Sequence, residues 1–273
     1  MTNRRIAFLG AGNMGRALIG GLLRSGTRPE QLSVGESLPA ARERLSRELG
    51  IAATADNRAA VAGAAVVVLA VKPQEAAAVL PPLADELRAA HALLISVAAG
   101  VRIASLHSWC GAGAPVVRAM PNRAALIGAG VTGLYAPPAI GAPQRLAAEQ
   151  VLKGVGEVVW VPTEEALDVV TALSASGPAY FFLLAELMAE AGEQLGLEGA
   201  TARRLAAATL YGSGLLAQSG HGELARLRAE VTSRGGTTEA ALRVLEAADL
   251  RGAVRRALQA AAQRSRELAS SAI

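Results

Sequence analysis

Cysteine is nearly missing from this chain: Cys110 is the only one among 273 residues. A lone thiol excludes an intrachain disulfide, so the sequence makes no use of an oxidising compartment, and the expected setting is cytoplasmic. Histidine is almost as scarce. His91, His107 and His221 are scattered and form no cluster of metal-ligand spacing, so no metal site is expected. Aromatic residues make up 3% of the chain, too few for the stacking platforms of nucleic-acid modules. The net charge of +4 does not restore that reading. Arginines alternate with acids along residues 42–48 and 251–267, as on solvated helix faces, and no nucleic-acid partner is expected. The longest apolar stretch, residues 59–71, is bounded by Arg58 and Lys72 and falls short of the roughly 20 residues a membrane helix needs. The apolar run behind the basic residues 1–5 stops at Gly10 without a small-residue cleavage site, so it reads as a strand and no membrane partner is expected.

What is abundant is aliphatic. Residues 5–160 alternate short β-branched runs with Ala/Leu/Arg segments of helical period, the pattern of repeated strand-helix units on a parallel sheet. Strands are expected at 5–9, 32–35, 66–70, 92–97, 115–119, 131–135 and 158–160, with a helix over Asn13–Arg24. After Pro162 the β-branched runs give way to Leu/Ala/Glu/Arg segments. They are broken at Gly177-Pro178, at 196–199, at Gly220-His221-Gly222 and at Gly235-Gly236. The expected fold class is α/β: a Rossmann-type doubly wound sheet over 1–162, then an all-helical domain of about five helices over 163–273.

The first strand runs straight into Gly10-Ala11-Gly12-Asn13-Met14-Gly15 and then into the helix. This is G-x-G-x-x-G in its specific context: a tight turn at Gly10, backbone approach to a pyrophosphate at Gly12, and close helix-strand packing at Gly15. Glu36 ends the second strand about 20 residues further on, where a carboxylate accepts from ribose hydroxyls and favours NADH. Ser37, Arg42 and Arg44 follow at once, and their groups suit a ribose phosphate, so NADPH and NADH both stay open. Lys72, after the apolar strand, falls at the carboxyl edge of the sheet and is a candidate to line the cleft, although a lysine there is commonly just solvated.

Three more segments stand out: Arg118-Ala119-Met120-Pro121-Asn122, Ser174-Ala175-Ser176-Gly177-Pro178-Ala179-Tyr180 and Val231-Thr232-Ser233-Arg234-Gly235-Gly236-Thr237-Thr238. Together with GAGNMG and the AVKPQ run at 70–74, they resemble the pyrroline-5-carboxylate reductases, over nearly the whole chain and in the right order. The resemblance implies reduction of a cyclic imine to proline by NADPH or NADH, and a helical half that forms a homodimer, often within larger rings of dimers. It implies cofactor contacts from Gly10, Ala11, Gly12, Asn13, Met14, Gly15, Glu36, Ser37, Asn57, Ala70, Val71, Lys72, Pro73 and Ala98. It implies substrate contacts from Met120, Asn122, Ser176, Ser233, Gly235, Gly236, Thr237 and Thr238, with Thr238 catalytic. Two departures stand in it: Arg234 where the family usually has Pro, and Ala175 where it usually has Gly.

These residue types suit that chemistry. The cofactor carries the hydride, so the protein has to position and hydrogen-bond. Free amides at the start of a helix after Gly235-Gly236 would hold a carboxylate, and the Thr238 hydroxyl can reach a ring nitrogen or a protonating water. The plainer alternative is that Thr237 or Thr238 merely caps that helix. Likewise Ser176 before Gly177-Pro178 reads either as a site wall or as a helix start. Rival functions are a β-hydroxyacid dehydrogenase and a non-catalytic NAD(P)H-binding redox sensor. The first relies on a lysine in the helical half, where this chain has none.

Overall fold

In the computed structural model, which describes residues 4–219 and 223–271, the alternating segments build one eight-stranded sheet. Its strands are β1 (Ile6–Leu9), β2 (Leu32–Gly35), β3 (Ala53–Thr54), β4 (Val66–Leu69), β5 (Leu93–Ser96), β6 (Val116–Pro121), β7 (Gly130–Tyr135) and β8 (Gly156–Trp160). They lie in the order β3-β2-β1-β4-β5-β6-β7-β8. β1 to β6 are mutually parallel. β7 corrects the expectation of an all-parallel sheet, since it runs antiparallel to β6. The connection from β6 to β7 holds only a short 3-10 turn, Arg123–Ile127, and a parallel return needs a crossover of a dozen residues or more. The two-residue strand β3 is also absent from the sequence expectation, being shorter than any periodicity can mark.

Alternate strand residues serve opposite faces. Ile6, Phe8, Val66, Val68 and Ile95 pack with Leu18, Ile19 and Leu22 of α1 (Asn13–Arg24), with Leu45 of α2 (Pro39–Leu49), and with the side of the molecule that carries Ala148 and Val151. Ala7, Leu9, Val67, Leu69 and Leu94 face the other way, with Val61 of α3 (Asn57–Val61), Ala76 of α4 (Ala76–Val79), Leu87 of α5 (Ala84–Ala89) and Leu106 of α6 (Ile103–Cys110). Such two-sided cover is why the β4 run Val66-Val67-Val68-Leu69 is uniformly apolar. α7 (Ala142–Leu152) then crosses to β8. Cys110 closes α6 from inside the core, where burial pushes its thiol up to about 11. It stays protonated and packs, as the sequence leads one to expect.

The helical part comprises α8 (Ala166–Val170), a π-helical turn (Thr171–Ala175), α9 (Gly177–Gln194), α10 (Gly199–Ser219), α11 (Leu224–Glu230), α12 (Thr237–Ala247) and α13 (Leu250–Ser271). Six α-helices thus stand among the described residues where about five were expected. The break expected at Gly220-His221-Gly222 lies outside the described residues. Gly177-Pro178, read as a breaker, does not interrupt the chain's helical course. Ser176 keeps right-handed helical angles, and Pro178 sits in the first turn of α9, where its fixed φ suits the helix. The resulting helical run Ala166–Gln194 has 29 residues and a mean hydropathy of 1.4 in its richest window, of which 22% is buried. It is longer than the 59–71 stretch singled out from the sequence, and it meets the length and composition of a membrane crossing. A helix that packs against another protein surface meets the same description.

The chain forms two compact units, Met1–Ala175 with Ala261–Ile273, and Ser176–Ala260. The end of α13 therefore belongs with the sheet. Ala262 and Ala269 are buried there, and the Ser265 hydroxyl donates to Asp168 over 2.7 Å.

Candidate active site

The chain builds outward from β1 through β2 to β3, then returns to β4 and builds the other way. The crevice at the carboxyl ends of β1 and β4 is where doubly wound sheets bind ligands. Gly10 follows β1 with φ +94° and donates to the Gly35 carbonyl over 2.8 Å. A side chain there is disfavoured by the backbone angle alone, and its Cβ would also meet the Ala70 carbonyl oxygen at 2.9 Å. Gly12 is the N-cap of α1, and a Cβ on it would meet nothing within 4 Å. The space ahead of the helix is therefore open. The first N–H groups of α1 have no intrahelical acceptor, and with the helix dipole they form a donor set that fits the pyrophosphate of a dinucleotide. Met14 packs against the core and Asn13 accepts from Arg16 over 3.1 Å.

The other expected cofactor residues share this edge. Asn57 opens α3 with its side-chain oxygen against Gly35. Ala70 donates to the Leu9 carbonyl over 2.8 Å and leads through Val71 to Lys72, which is exposed, and to Pro73. Ala98 is buried just beyond β5. Glu36 is 9% exposed, and each of its carboxylate oxygens accepts a backbone N–H: one from Ala11 over 2.8 Å, the other from Leu38 over 2.9 Å. The carboxylate thus ties the glycine turn to the end of β2. Beside it Ser37 is exposed. Arg42 donates through Nη1 to the carbonyls of Glu36 and Ser37, both over 2.8 Å, which holds a guanidinium over the same turn. Arg44 pairs instead with Glu48 over 2.9 Å.

Met120 and Pro121 end β6 at the same edge, and Asn122 follows them. Asn122 is 9% exposed and both ends of its amide are engaged within the protein. In the other unit, Ser176 is half-buried ahead of α9. The segment 233–238 turns tightly there: Gly236 N–H donates to the Ser233 carbonyl over 3.0 Å, Gly235 adopts φ +74°, and Glu239 reaches back to accept from Gly235 N–H over 2.8 Å. The N-cap of α12 is Gly236, with no side-chain cap. Thr237 and Thr238 are the first residues inside the helix, so capping is not what their hydroxyls do, and the amides of the first turn are free for an anion. Arg234 is exposed beside them.

One cluster went unforeseen. Arg118 of β6 is 6% exposed and donates to Glu164 over 2.6 Å, while Glu164 also accepts from Ile103 N–H over 2.8 Å. Arg102 donates to Asp168 over 2.6 Å. Burial pulls the Arg118 pKa below its ordinary value, and the hydrogen bond to Glu164 opposes that pull. The only sequence hint is a set of charged residues flanking apolar runs, which is the commonest place for a solvated charge.

Sheet order, glycine turn and helix amino terminus define a Rossmann-type dinucleotide-binding protein. Comparison with known proteins agrees: residues 5–100 match a family model described as NADP oxidoreductase, coenzyme F420-dependent, and residues 164–268 match one described as pyrroline-5-carboxylate reductase dimerisation. A curated pyrroline-5-carboxylate reductase of Pseudomonas aeruginosa is 46% identical over 269 residues, 98% of either chain. The solved pyrroline-5-carboxylate reductase of Coxiella burnetii superposes with a TM-score of 0.94 at 40% identity, covering 98% of this chain and 99% of that one. That of Plasmodium falciparum, solved with NADP bound, superposes at 0.84 with 26% identity over 98% and 99%. The chain belongs to the pyrroline-5-carboxylate reductase family.

Proposed function

We propose that this protein reduces 1-pyrroline-5-carboxylate to L-proline with NADPH as the preferred donor, as a cytoplasmic homodimer of the proline-synthesis pathway. The single observation that carries the reading is the glycine turn at the β1–α1 junction, with its open helix amino terminus, in a chain 46% identical over 98% of its length to a reductase of that name. When bound, the reduced nicotinamide supplies the hydride, and this chain's own groups hold and orient. The first turn of α1 cradles the pyrophosphate. Asn57, Ala70, Lys72 and Ala98 line the dinucleotide's course, and Met120 borders the nicotinamide. The first-turn amides of Thr237 and Thr238 hold the substrate carboxylate, Ser176 walls the ring, and the Thr238 hydroxyl hydrogen-bonds the imine nitrogen or the water that protonates it.

Preference for NADPH follows from what Glu36 does. A carboxylate that already accepts two backbone N–H groups is held back from the ribose, while Ser37 and the tethered Arg42 present a hydroxyl and a guanidinium suited to a phosphate. Dimerisation accounts for the face of α9. Phe181 and Phe182 are 60% and 62% exposed, with Leu183, Leu184 and Leu187 beside them, and contiguous apolar surface of that kind marks an interface.

The deciding experiment is a pair of steady-state assays of the purified protein with 1-pyrroline-5-carboxylate. Oxidation of both nicotinamides is expected, with kcat/KM for NADPH about tenfold or more above that for NADH, the worth of one charge-assisted contact. A protein that binds NADPH yet leaves it unoxidised would be a sensor, and the reductase reading would be lost. Thr238→Ala is expected to lower kcat by about a hundredfold or more, the lower end of what a positioned proton donor contributes, with the dissociation constant for NADPH unchanged. Turnover equal to that of the parent would remove Thr238 from the chemistry.

A further inference from the structure

Asn122 directly follows Pro121, the last residue of β6, and takes extended angles of φ −111° and ψ 170°. Its side-chain oxygen accepts from Val131 N–H over 3.2 Å, in the first residues of β7. Its side-chain nitrogen donates over 3.2 Å to the carbonyl of Ser174, inside the π-helical turn. The three segments belong to the same compact unit, and one amide joins them.

Pro178 is what makes this connection necessary. It lies four residues beyond Ser174 and has no N–H, so the Ser174 carbonyl lacks its α-helical donor, and Ala179 N–H is spent on the Ser176 carbonyl. Ser174 and Thr171 use their own hydroxyls on the carbonyls of Val170 and Leu167, over 2.9 Å and 2.8 Å. The Ser174 carbonyl takes its donor from Asn122. Only a side chain with a donor and an acceptor on one short stem serves both a strand N–H and a helix carbonyl at once.

Resting on the reductase reading, we infer that Asn122 is a positioning residue. It touches neither cofactor nor substrate, and instead locks the carboxyl end of β6 and the π-helical turn together, so that Met120 holds its place at the edge of the cofactor crevice. The side chain is 9% exposed and each of its polar atoms is already fastened to main chain, so its orientation is set by the protein. The main chain it fastens, however, ends at the same sheet edge as the glycine turn.

Asn122→Asp tests this with little change of shape. The acceptor for Val131 N–H stays, and the donor to Ser174 is replaced by an oxygen that faces a carbonyl. A fall in kcat of about tenfold or more, as misplacement of a site wall produces, is expected. KM for the imine and the dissociation constant for NADPH should stay close to those of the parent, while the melting temperature falls by a few degrees, the cost of a buried carbonyl left without its donor. Asn122→Ala, which removes both bonds without adding charge, should show the same split. A raised KM with kcat intact would mean that the residue contacts substrate, and the inference would be wrong. A lowered melting temperature with unchanged kcat per folded molecule, or failure of both variants to fold, would make the role merely structural and equally overturn it. No imine reduction by the parent itself would overturn the reductase reading first, and this inference along with it.

Discussion

Gly15→Ala is expected to reduce kcat/KM for NADPH by about a hundredfold or more and to lower the melting temperature by several degrees, while Gly12→Ala leaves the melting temperature unchanged. The contrast follows from what each new methyl group would meet. At Gly15 a Cβ falls 2.5 Å from the carbonyl oxygen of Gly10 and 3.3 Å from its carbon. Both are backbone atoms of a turn held by the Gly10 N–H bond to Gly35, so no flexible side chain can give way. The helix must lift from the turn, an overpacking cost of about 1–3 kcal/mol. The shift also carries the first-turn amides away from the pyrophosphate, where about 1 Å of misplacement costs roughly a hundredfold. At Gly12 a Cβ meets no protein atom within 4 Å, so the fold does not register it. Only a bound dinucleotide would, through a raised KM. Thermal melts and NADPH titrations of the two variants check the pair. A Gly15→Ala protein that melts with the parent and binds NADPH normally would mean that α1 does not press on the turn as described.

That turn was legible in the sequence because everything that defines it is local. Strand, glycines and helix follow one another within some twenty residues, and α1 runs over the residues that the pattern assigned to it. The strands β2 and β7 were legible for the same reason, through β-branched runs bounded by breakers. The direction of β7 was not, because it depends on how few residues separate it from β6, which composition does not encode. The π turn was hidden by Gly177-Pro178. A breaker dipeptide reads the same whether the chain stops or continues, and here Pro178 falls in the first turn of α9, where proline is tolerated. Spacing placed Glu36 at the end of β2 correctly, yet the partners of its carboxylate, Ala11 and Leu38, depend on how closely two loops approach in space. Asn122 shows the same limit: the motif marks the residue, but its partner Ser174 lies 52 positions away.

The buried charges carry that limit furthest, since Asp168 draws on Arg102 at 66 positions and on Ser265 at 97. Asp168→Ala should destabilise the sheet-bearing unit by about 3–5 kcal/mol, the usual cost of removing one partner from a buried pair. The Asp168 side chain is 2% exposed, and it is the acceptor for both the Arg102 guanidinium and the Ser265 hydroxyl. Arg102 already has Nη1 buried without a partner, so losing Asp168 leaves the guanidinium less compensated still. Ser265→Ala removes one hydroxyl donor from a charged acceptor that keeps its arginine, and should cost only about 1.5–3 kcal/mol. The two changes should not add, because the serine has nothing to hold once the carboxylate is gone. Since Ser265 lies between the buried Ala262 and Ala269 near the end of α13, Asp168→Ala should also expose residues 261–271 to limited proteolysis under conditions where the parent is uncut. Denaturant melts of the two single variants and the double, read beside the cleavage pattern, decide the point. If Asp168→Ala costs under about 1 kcal/mol, as an exposed ion pair would, then water reaches this network, and it is not what fastens the end of α13 to the sheet.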